Sequence, residues 1–235
     1  MSSAFVIPCK FKPENPVIFR AVSSIKKFQP KSEVYVLDSN SEDTSYLDLC
    51  RNLGAVIPDY KNLNYATGAT WWAFKETKHE FIYTFHDSCS LLENVEDLED
   101  KQVSTMRYFR SWHGVGWSPT RSESGNNGHI DQDQFDWADS CMKLTSIQPR
   151  HGEVFNAVFG PMLFAKREFL QRLHDIGLSQ ILPNSKDQEQ TMERVMGIYL
   201  SRLGVDAKEV SLQGYCYDYG FRPEYRMKKE FLGRT

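Results

Sequence analysis

Residues 33–54 read EVYVLDSNSEDTSYLDLCRNLG. Val34, Tyr35 and Val36 are β-branched and aromatic, so Glu33 to Leu37 is predicted as a strand. It runs into the polar cluster Asp38-Ser39-Asn40-Ser41-Glu42-Asp43, a loop leading into a helix from about Thr44 to Leu53 that Gly54 closes. Strand, polar turn and helix make half of a βαβ unit. The fold class therefore turns on whether the pattern repeats on either side.

It does. Upstream, AFVIPCK (Ala4 to Lys10) is a short apolar run broken by Pro8, as expected where a buried strand ends at a sheet edge. After Pro13 and Pro16, VIFRAVSSIKKF sets Val17, Val22, Ile25 and Phe28 on one helical face, and Pro30 ends it. Downstream, AVIPDY is predicted as a third short strand and Thr67 to Lys78 as a helix. Phe81 to Phe85 (FIYTF) is a fourth strand, ending at His86-Asp87. Strands separated by helices of about 10–15 residues imply βαβ units and a largely parallel sheet. The fold class is α/β.

The second half is less regular. Tyr108 to Val115 is a strand candidate, and Thr120 to Gln134 (TRSESGNNGHIDQDQ) is predicted as a loop from its polar, glycine-bearing composition. Strand-like runs lie on both sides of Gly160-Pro161 between Phe155 and Ala165. A helix is predicted over Lys166 to Ile176, stopped by Gly177, and another from about Asp187 to Leu203, stopped by Gly204. The tail from Phe221, with Arg222, Arg226, Lys228, Lys229 and Arg234, reads as a locally basic extension.

Composition excludes several classes. A net charge of −3 from 28 basic and 31 acidic side chains argues against a nucleic-acid partner, because polyanion binders carry a basic excess. No run approaches about 18 apolar residues, so no membrane span is expected. Met-Ser-Ser leads straight into AFVIP without a basic segment, so no secretory signal is expected either. Cys9, Cys50, Cys89, Cys141 and Cys216 are odd in number and widely spaced, without a CxxC pair. This favours buried thiols in a reducing, cytoplasmic setting over a disulfide framework or a zinc site.

In an open parallel sheet, ligands bind beyond the carboxyl ends of the strands. The candidates are thus Pro8, Cys9 and Lys10 after the first strand, Asp38, Ser39 and Asn40 after the second, and His86, Asp87, Ser88 and Cys89 after the fourth. Asp38 and Asp87 could face one cleft and read the hydroxyls and imino group of a nucleotide. Equally, Asp38 and Ser41 suit helix capping. The sequence lacks GxGxxG and GxxxxGK[ST], which disfavours dinucleotide and P-loop cradles, and it lacks GxSxG and HExxH.

The order of AFVIPCK, EVYVLDSNSED, NYATGATWWAF and FIYTFHDSCSLL resembles the nucleotide-binding half of a GT-A glycosyltransferase. It is also similar to small glycosyltransferase-like proteins of phages and large viruses. The resemblance implies a single GT-A (Rossmann-like) domain over residues 1–235, with a mostly parallel central sheet. Residues 1–100 would form the nucleotide-binding half, and 101–235 the acceptor-side half and tail. Pro8, with Cys9 and Lys10, would help hold the donor's base, and Asp38, followed by Ser41-Glu42-Asp43, would contact the nucleoside. Asn64, Tyr65 and Gly68 match the stretch near the ribose and diphosphate, and Asp87-Ser88-Cys89, beside His86, matches the Asp-x-Asp motif. HGEVFNAVFGPMLFAKREFL resembles the acceptor-side segment, which points to Asn156 and Gly160, with Trp112, on that side.

KDQEQTMERVMG falls where such enzymes place a carboxylate that acts as general base. Asp187 is the first candidate because it stands at the predicted helix start. Glu189 is the second and Glu193 the third, with a Glu193-Arg194 ion pair as the structural alternative. First-turn acids also stabilise the helix macrodipole without any catalytic role. Cys89 departs from the family pattern, because the residue there normally coordinates Mg²⁺ or Mn²⁺ and a thiol is a poor ligand for either. Asp87 would bind the divalent cation alone, or Lys or Arg would neutralise the leaving group, or the site is dead.

The resemblance implies transfer of a sugar from a nucleotide-sugar donor to a hydroxyl acceptor such as a glycan, inverting or retaining. The alternative is a non-catalytic nucleotide- or glycan-binding module on the same scaffold, motivated by Cys89. A nucleotidyltransferase ranks third, since it needs a pair of metal carboxylates. His129, Asp131, Asp133 and Asp136 read as a solvated charge run, in a loop that could also close over the donor. Trp71, Trp72 and Trp112 are read as core aromatics, with stacking on a sugar or base as the alternative.

Overall fold

Alternation of side chains across a strand buried on both faces builds the sheet from its centre outward. The computed structural model describes residues 2–14, 16–91, 94, 103–106, 115–116, 132–148, 150, 153–155, 158, 160–203 and 208–210. In strand β1 (Ser3–Cys9), Phe5, Ile7 and Cys9 enter one core and Val6 enters the other. Helix α1 (Ile18–Phe28) and helix α2 (Tyr46–Asn52) close the first core through Ile18, Ala21, Val22, Ile25, Tyr46 and Cys50. Strand β2 (Glu33–Asp38) and strand β3 (Phe81–Thr84) flank β1 in parallel, with Cys9 beside Asp38 and Val6 beside Thr84.

The opposite face is covered by helix α3 (Tyr65–Glu76), α4 (Gln132–Met142), α5 (Arg167–Asp175) and the 17-residue α6 (Lys186–Arg202). Strands β4 (Val103–Met106), β7 (Leu163–Lys166) and β8 (Lys208–Val210) complete a six-stranded sheet ordered β2-β1-β3-β7-β4-β8. Here β7 runs antiparallel to β3 and β4, while β4 and β8 are parallel. A separate ribbon pairs β5 (Val115–Gly116) with β6 (Val154–Phe155). The expected fold class, a mostly parallel sheet between helices, is the one observed.

Two expectations need correction, and a third falls mostly outside the described residues. AVIPDY forms no strand but a single bridge, Val56 to Tyr35, in which the Val56 N–H donates to the Val34 carbonyl at 2.7 Å. The next donor in that ladder would be residue 58, a proline without an N–H. Of the strand expected over Tyr108 to Val115, Val115 opens β5, and 108–114 lie outside the described residues. The loop expected over Thr120 to Gln134 gives way at Gln132 to α4, whose Ala138 and Met142 are buried at helical spacing. Residues 120–131, Gly204 and the basic tail from Phe221 lie outside the described residues.

Candidate functional site

The parallel register brings the carboxyl ends of β1, β2 and β3 together, and a cavity of about 510 Å³ opens beyond them. Its floor is Pro8 in the last rungs of the β1 ladder and Lys10 just after it, Ser39 after β2, and His86, Asp87 and Ser88 after β3. The Ser39 N–H donates to the Cys9 carbonyl (2.8 Å) and the Phe85 N–H to the Val6 carbonyl (2.9 Å), so the ladder continues into the floor. Asp87 keeps some surface open to the cavity, yet surrounding protein withdraws it from bulk water. Burial pushes its pKa up to about 6, against the opposing pull of the neighbouring Cys9 thiol and of the Ser88 and Asp87 N–H groups.

Helix α6 forms the facing wall through Lys186, Glu189, Gln190 and Glu193. Positions 189 and 193 are one turn apart on one face. The two carboxylates have different partners. Glu189 Oε1 accepts the Ala66 and Thr67 N–H groups at 2.9 and 3.2 Å, and its Oε2 accepts the Thr67 hydroxyl at 2.8 Å. Glu189 thus caps the N-terminus of α3, whose own N-cap, Asn64, makes no side-chain capping bond. Burial raises Glu189 to about 8 while these donors favour the charged form. Glu193 accepts the Gly160 N–H at 3.0 Å with Oε1, and its other oxygen has no hydrogen-bond partner among the described residues. Burial raises it to about 7, while Arg194 and the Gly160 N–H oppose the rise.

Gly160 is held from both sides. His86 Nε2 lies 2.8 Å from the Gly160 carbonyl, an acceptor, so this nitrogen carries the proton. Burial lowers the His86 pKa, keeping the ring neutral. The glycine has φ +57°, and a Cβ there would meet His86 Cε1 at 2.7 Å. A side chain is excluded on both counts.

Of the expected site residues, Pro8, Lys10, Tyr65, His86, Asp87, Gly160 and Glu189 line the cavity. Cys9 lies beneath the floor, 2% exposed, with its thiol on Asp87. Asp38 is buried and accepts the Tyr46 hydroxyl at 3.0 Å and the Ser41 N–H at 3.3 Å; the N-cap of α2 is Ser45, so Asp38 does not cap that helix. Asn64 donates to the Pro183 carbonyl at 2.8 Å, tying α3 to the segment before α6. Gly68 is buried inside α3, where a Cβ would meet Asn62 Oδ1 and Asn64 Cβ at 2.6 Å. Asp187 is exposed in the first turn of α6 and is not among the residues lining the cavity.

Trp112 and Asn156, with His129 and Asp131, lie outside the described residues. Trp71 is in the core, while Trp72 stacks on Tyr60 at 5.9 Å. Cys89 is 1% exposed and packs in the core beside α1 and α2. Sequence reading missed Asn62, which is fully buried and donates to the Tyr65 carbonyl at 2.6 Å, holding Tyr65 at φ +55°. It also passed over Lys186 and Gln190, which share the α6 face with the acids.

No protein-family model matches the sequence, and no curated protein matches it. Solved structures similar to the chain include S. aureus TarS 1-349, at 12% identity and TM-score 0.43, over 84% of this chain and 56% of that one. They also include the mannosyltransferase PcManGT from Pyrobaculum calidifontis in complex with GDP-Man and Mn²⁺, at 16% identity and TM-score 0.49, over 97% of this chain and 60% of that one. A third is CMP:2-keto-3-deoxy-manno-octonic acid synthetase complexed with CTP, at 12% identity and TM-score 0.51 over the full length of both chains. The chain spans little more than half of TarS 1-349. At such identities the likeness is one of fold, and none of the three bears on the resemblance to phage and large-virus proteins. Among the described residues no helix is long and apolar enough to cross a membrane.

Proposed function

We propose that the protein is a nucleotide-sugar-dependent glycosyltransferase whose donor lies across the carboxyl ends of β1, β2 and β3, with the acceptor hydroxyl approaching from the α6 side. The observation that carries this reading is one cavity with Lys10, His86 and Asp87 on its floor and Glu193 on its wall. The donor is a nucleoside diphosphate sugar and the acceptor a hydroxyl, as on a glycan. Pro8 and Tyr65 offer surfaces for the nucleoside, and Ser39 and Asp87 polar atoms for the ribose and diphosphate. Asp38, Asn64 and Gly68 act from behind, by fixing the loops that carry these groups.

For an inverting transfer, the acceptor oxygen attacks the anomeric carbon as the bond to the diphosphate oxygen breaks. The bonding pair leaves on the diphosphate, and the acceptor proton passes to a carboxylate. Glu193 suits this role: one oxygen has no hydrogen-bond donor among the described residues, it borders the cavity, and a pKa near 7 matches a base working near neutrality. Asp187 is the alternative base, reachable from the exposed first turn of α6, and Glu189 is engaged as the α3 cap. A second reading, a binding module without turnover, is motivated by Cys89, which stands in place of the second Asp of Asp-x-Asp.

A thermal-shift screen of nucleoside diphosphates and nucleotide sugars, followed by a transfer assay on the stabilising donor, tests the proposal. A ligand that binds only the folded state raises Tm by mass action. The expected result is stabilisation by one nucleotide family and turnover that falls at least about 100-fold in Glu193→Gln. Stabilisation without turnover supports the binding module. Loss confined to Asp187→Asn moves the base to Asp187, and no stabilisation contradicts both readings.

A further inference from the structure

We infer that Lys10 and Lys186 hold the donor's diphosphate in place of a divalent cation, a proposal that rests on the nucleotide-sugar reading of the cavity. The family resemblance implies Mg²⁺ or Mn²⁺ at Asp87, and the donors around that residue do not fit either ion. Proteins typically hold such a cation on a diphosphate through one or two carboxylates, with phosphate oxygens and water completing the shell. Asp87 offers a single carboxylate on the floor, withdrawn from bulk water by the surrounding protein. The residue two positions on, Cys89, faces the core. Glu189 is committed to the α3 N-terminus, and Glu193 has one oxygen on the Gly160 N–H. Among the described residues no group of three His, Cys, Asp or Glu side chains is placed to hold a metal ion.

The positive charge of the cavity comes from lysine. Lys10 follows β1 on the floor, Lys186 opens α6 on the opposite wall, and both line the same space. Both are exposed, and among the described residues neither forms an ion pair, so both ammonium groups are available to a ligand. Lys186 occupies the first position of a 17-residue helix, where the macrodipole disfavours a cation. Helix stability does not account for a lysine there; an anion in the cavity does.

Two of the three acids in the lining have partners of their own. Glu189 is compensated by the α3 donors and Glu193 by Arg194 and the Gly160 N–H. A nucleoside diphosphate presents anionic oxygens on both phosphorus atoms, and lysine binds phosphate as a flexible point charge from either side. When the anomeric C–O bond breaks, its electron pair adds charge to the departing diphosphate oxygen. Ammonium groups facing that oxygen stabilise the transition state as a cation would.

Calorimetric titration of the full chain with UDP, GDP, CDP and ADP, each with its monophosphate, in EDTA and again in Mn²⁺, tests the proposal. The expected result is that one diphosphate binds with Kd equal within about 2-fold in the two conditions. The lysine variants Lys10→Ala and Lys186→Ala should each weaken the diphosphate by about 10-fold or more, and the monophosphate less. Lys→Arg at either position should restore most of the affinity. Binding that appears only with Mn²⁺ overturns the proposal and leaves the nucleotide-sugar reading standing. So does binding in EDTA that is indifferent to both lysines. Failure of every nucleotide in both conditions overturns the proposal together with that reading.

Discussion

The two ends of α3 are held by the same device in opposite sign. At the N-terminus the carboxylate of Glu189, 122 positions away, accepts two backbone N–H groups and the Thr67 hydroxyl. At the C-terminus Arg167 donates to the carbonyls of Phe74 (2.5 Å), Thr77 (2.8 Å) and His79 (2.8 Å), with its guanidinium over the Phe74 ring. Acceptor oxygens at the N-terminus and a cationic donor at the C-terminus both satisfy orphaned backbone groups. The difference is in what lies beside them. Glu189 lines the cavity, whereas Arg167 is a scaffold contact with no place in that lining. One end is structural; the other joins structure to the site.

Breaking each end separates those roles. The largest effect is expected from Arg167→Ala, which strips three carbonyls of their donor and should cost about 4 kcal/mol in urea denaturation. Nucleotide affinity of the folded fraction should not change. Glu189→Ala leaves two N–H groups and a hydroxyl unpaired, at about 3 kcal/mol. It should also weaken nucleotide binding, because Ala66 and Tyr65 at the head of α3 line the cavity. Equal binding losses in both variants would show that the ends do not differ in function.

Glu189→Gln sharpens the comparison at the smallest cost, about 1 kcal/mol or less, because an amide still accepts through oxygen and donates to Thr67 Oγ1. Its readout is the pH dependence of stability. Asp87, Glu189 and Glu193 have folded pKa values raised to about 6, 8 and 7, so the folded state binds more protons than the unfolded one above pH 4 to 5. Stability contributed by the neutral acids is complete below the unfolded values near 4 and is lost as pH rises through 6 to 8. Tm should therefore fall between pH 5 and pH 8, less steeply in Glu189→Gln and unchanged in slope in Arg167→Ala. A profile in the glutamine variant as steep as in the parent would mean that Glu189 stays ionised throughout.

The same contrast explains what the sequence made legible. The βαβ half reads well because its rules are local: Val34, Tyr35 and Val36 declare a strand, Gly54 stops a helix and Pro30 stops another. The cavity follows from topology, since parallel strands place their carboxyl ends on one edge. The partners of individual side chains do not follow, because they come from far along the chain. Nothing local to Glu189 announces that its acceptors serve the first turn of α3. Asp38 has the position of a nucleoside ligand, yet a tyrosine hydroxyl eight residues on occupies its carboxylate. The α6 wall was read for its acids, and the helical repeat that sets Glu189 and Glu193 on one face also brings Lys186, three positions before Glu189, to it.

The central claim is that a nucleotide occupies the cavity over the carboxyl ends of β1, β2 and β3. A crystal structure of the protein grown in saturating nucleoside diphosphate, chosen by the titration above, tests it most directly. The account predicts the diphosphate between Lys10 and Lys186, with the nucleoside along the Pro8, Ser39 and Tyr65 side of the cavity. A nucleotide bound elsewhere on the molecule, with this cavity filled only by water, would contradict it.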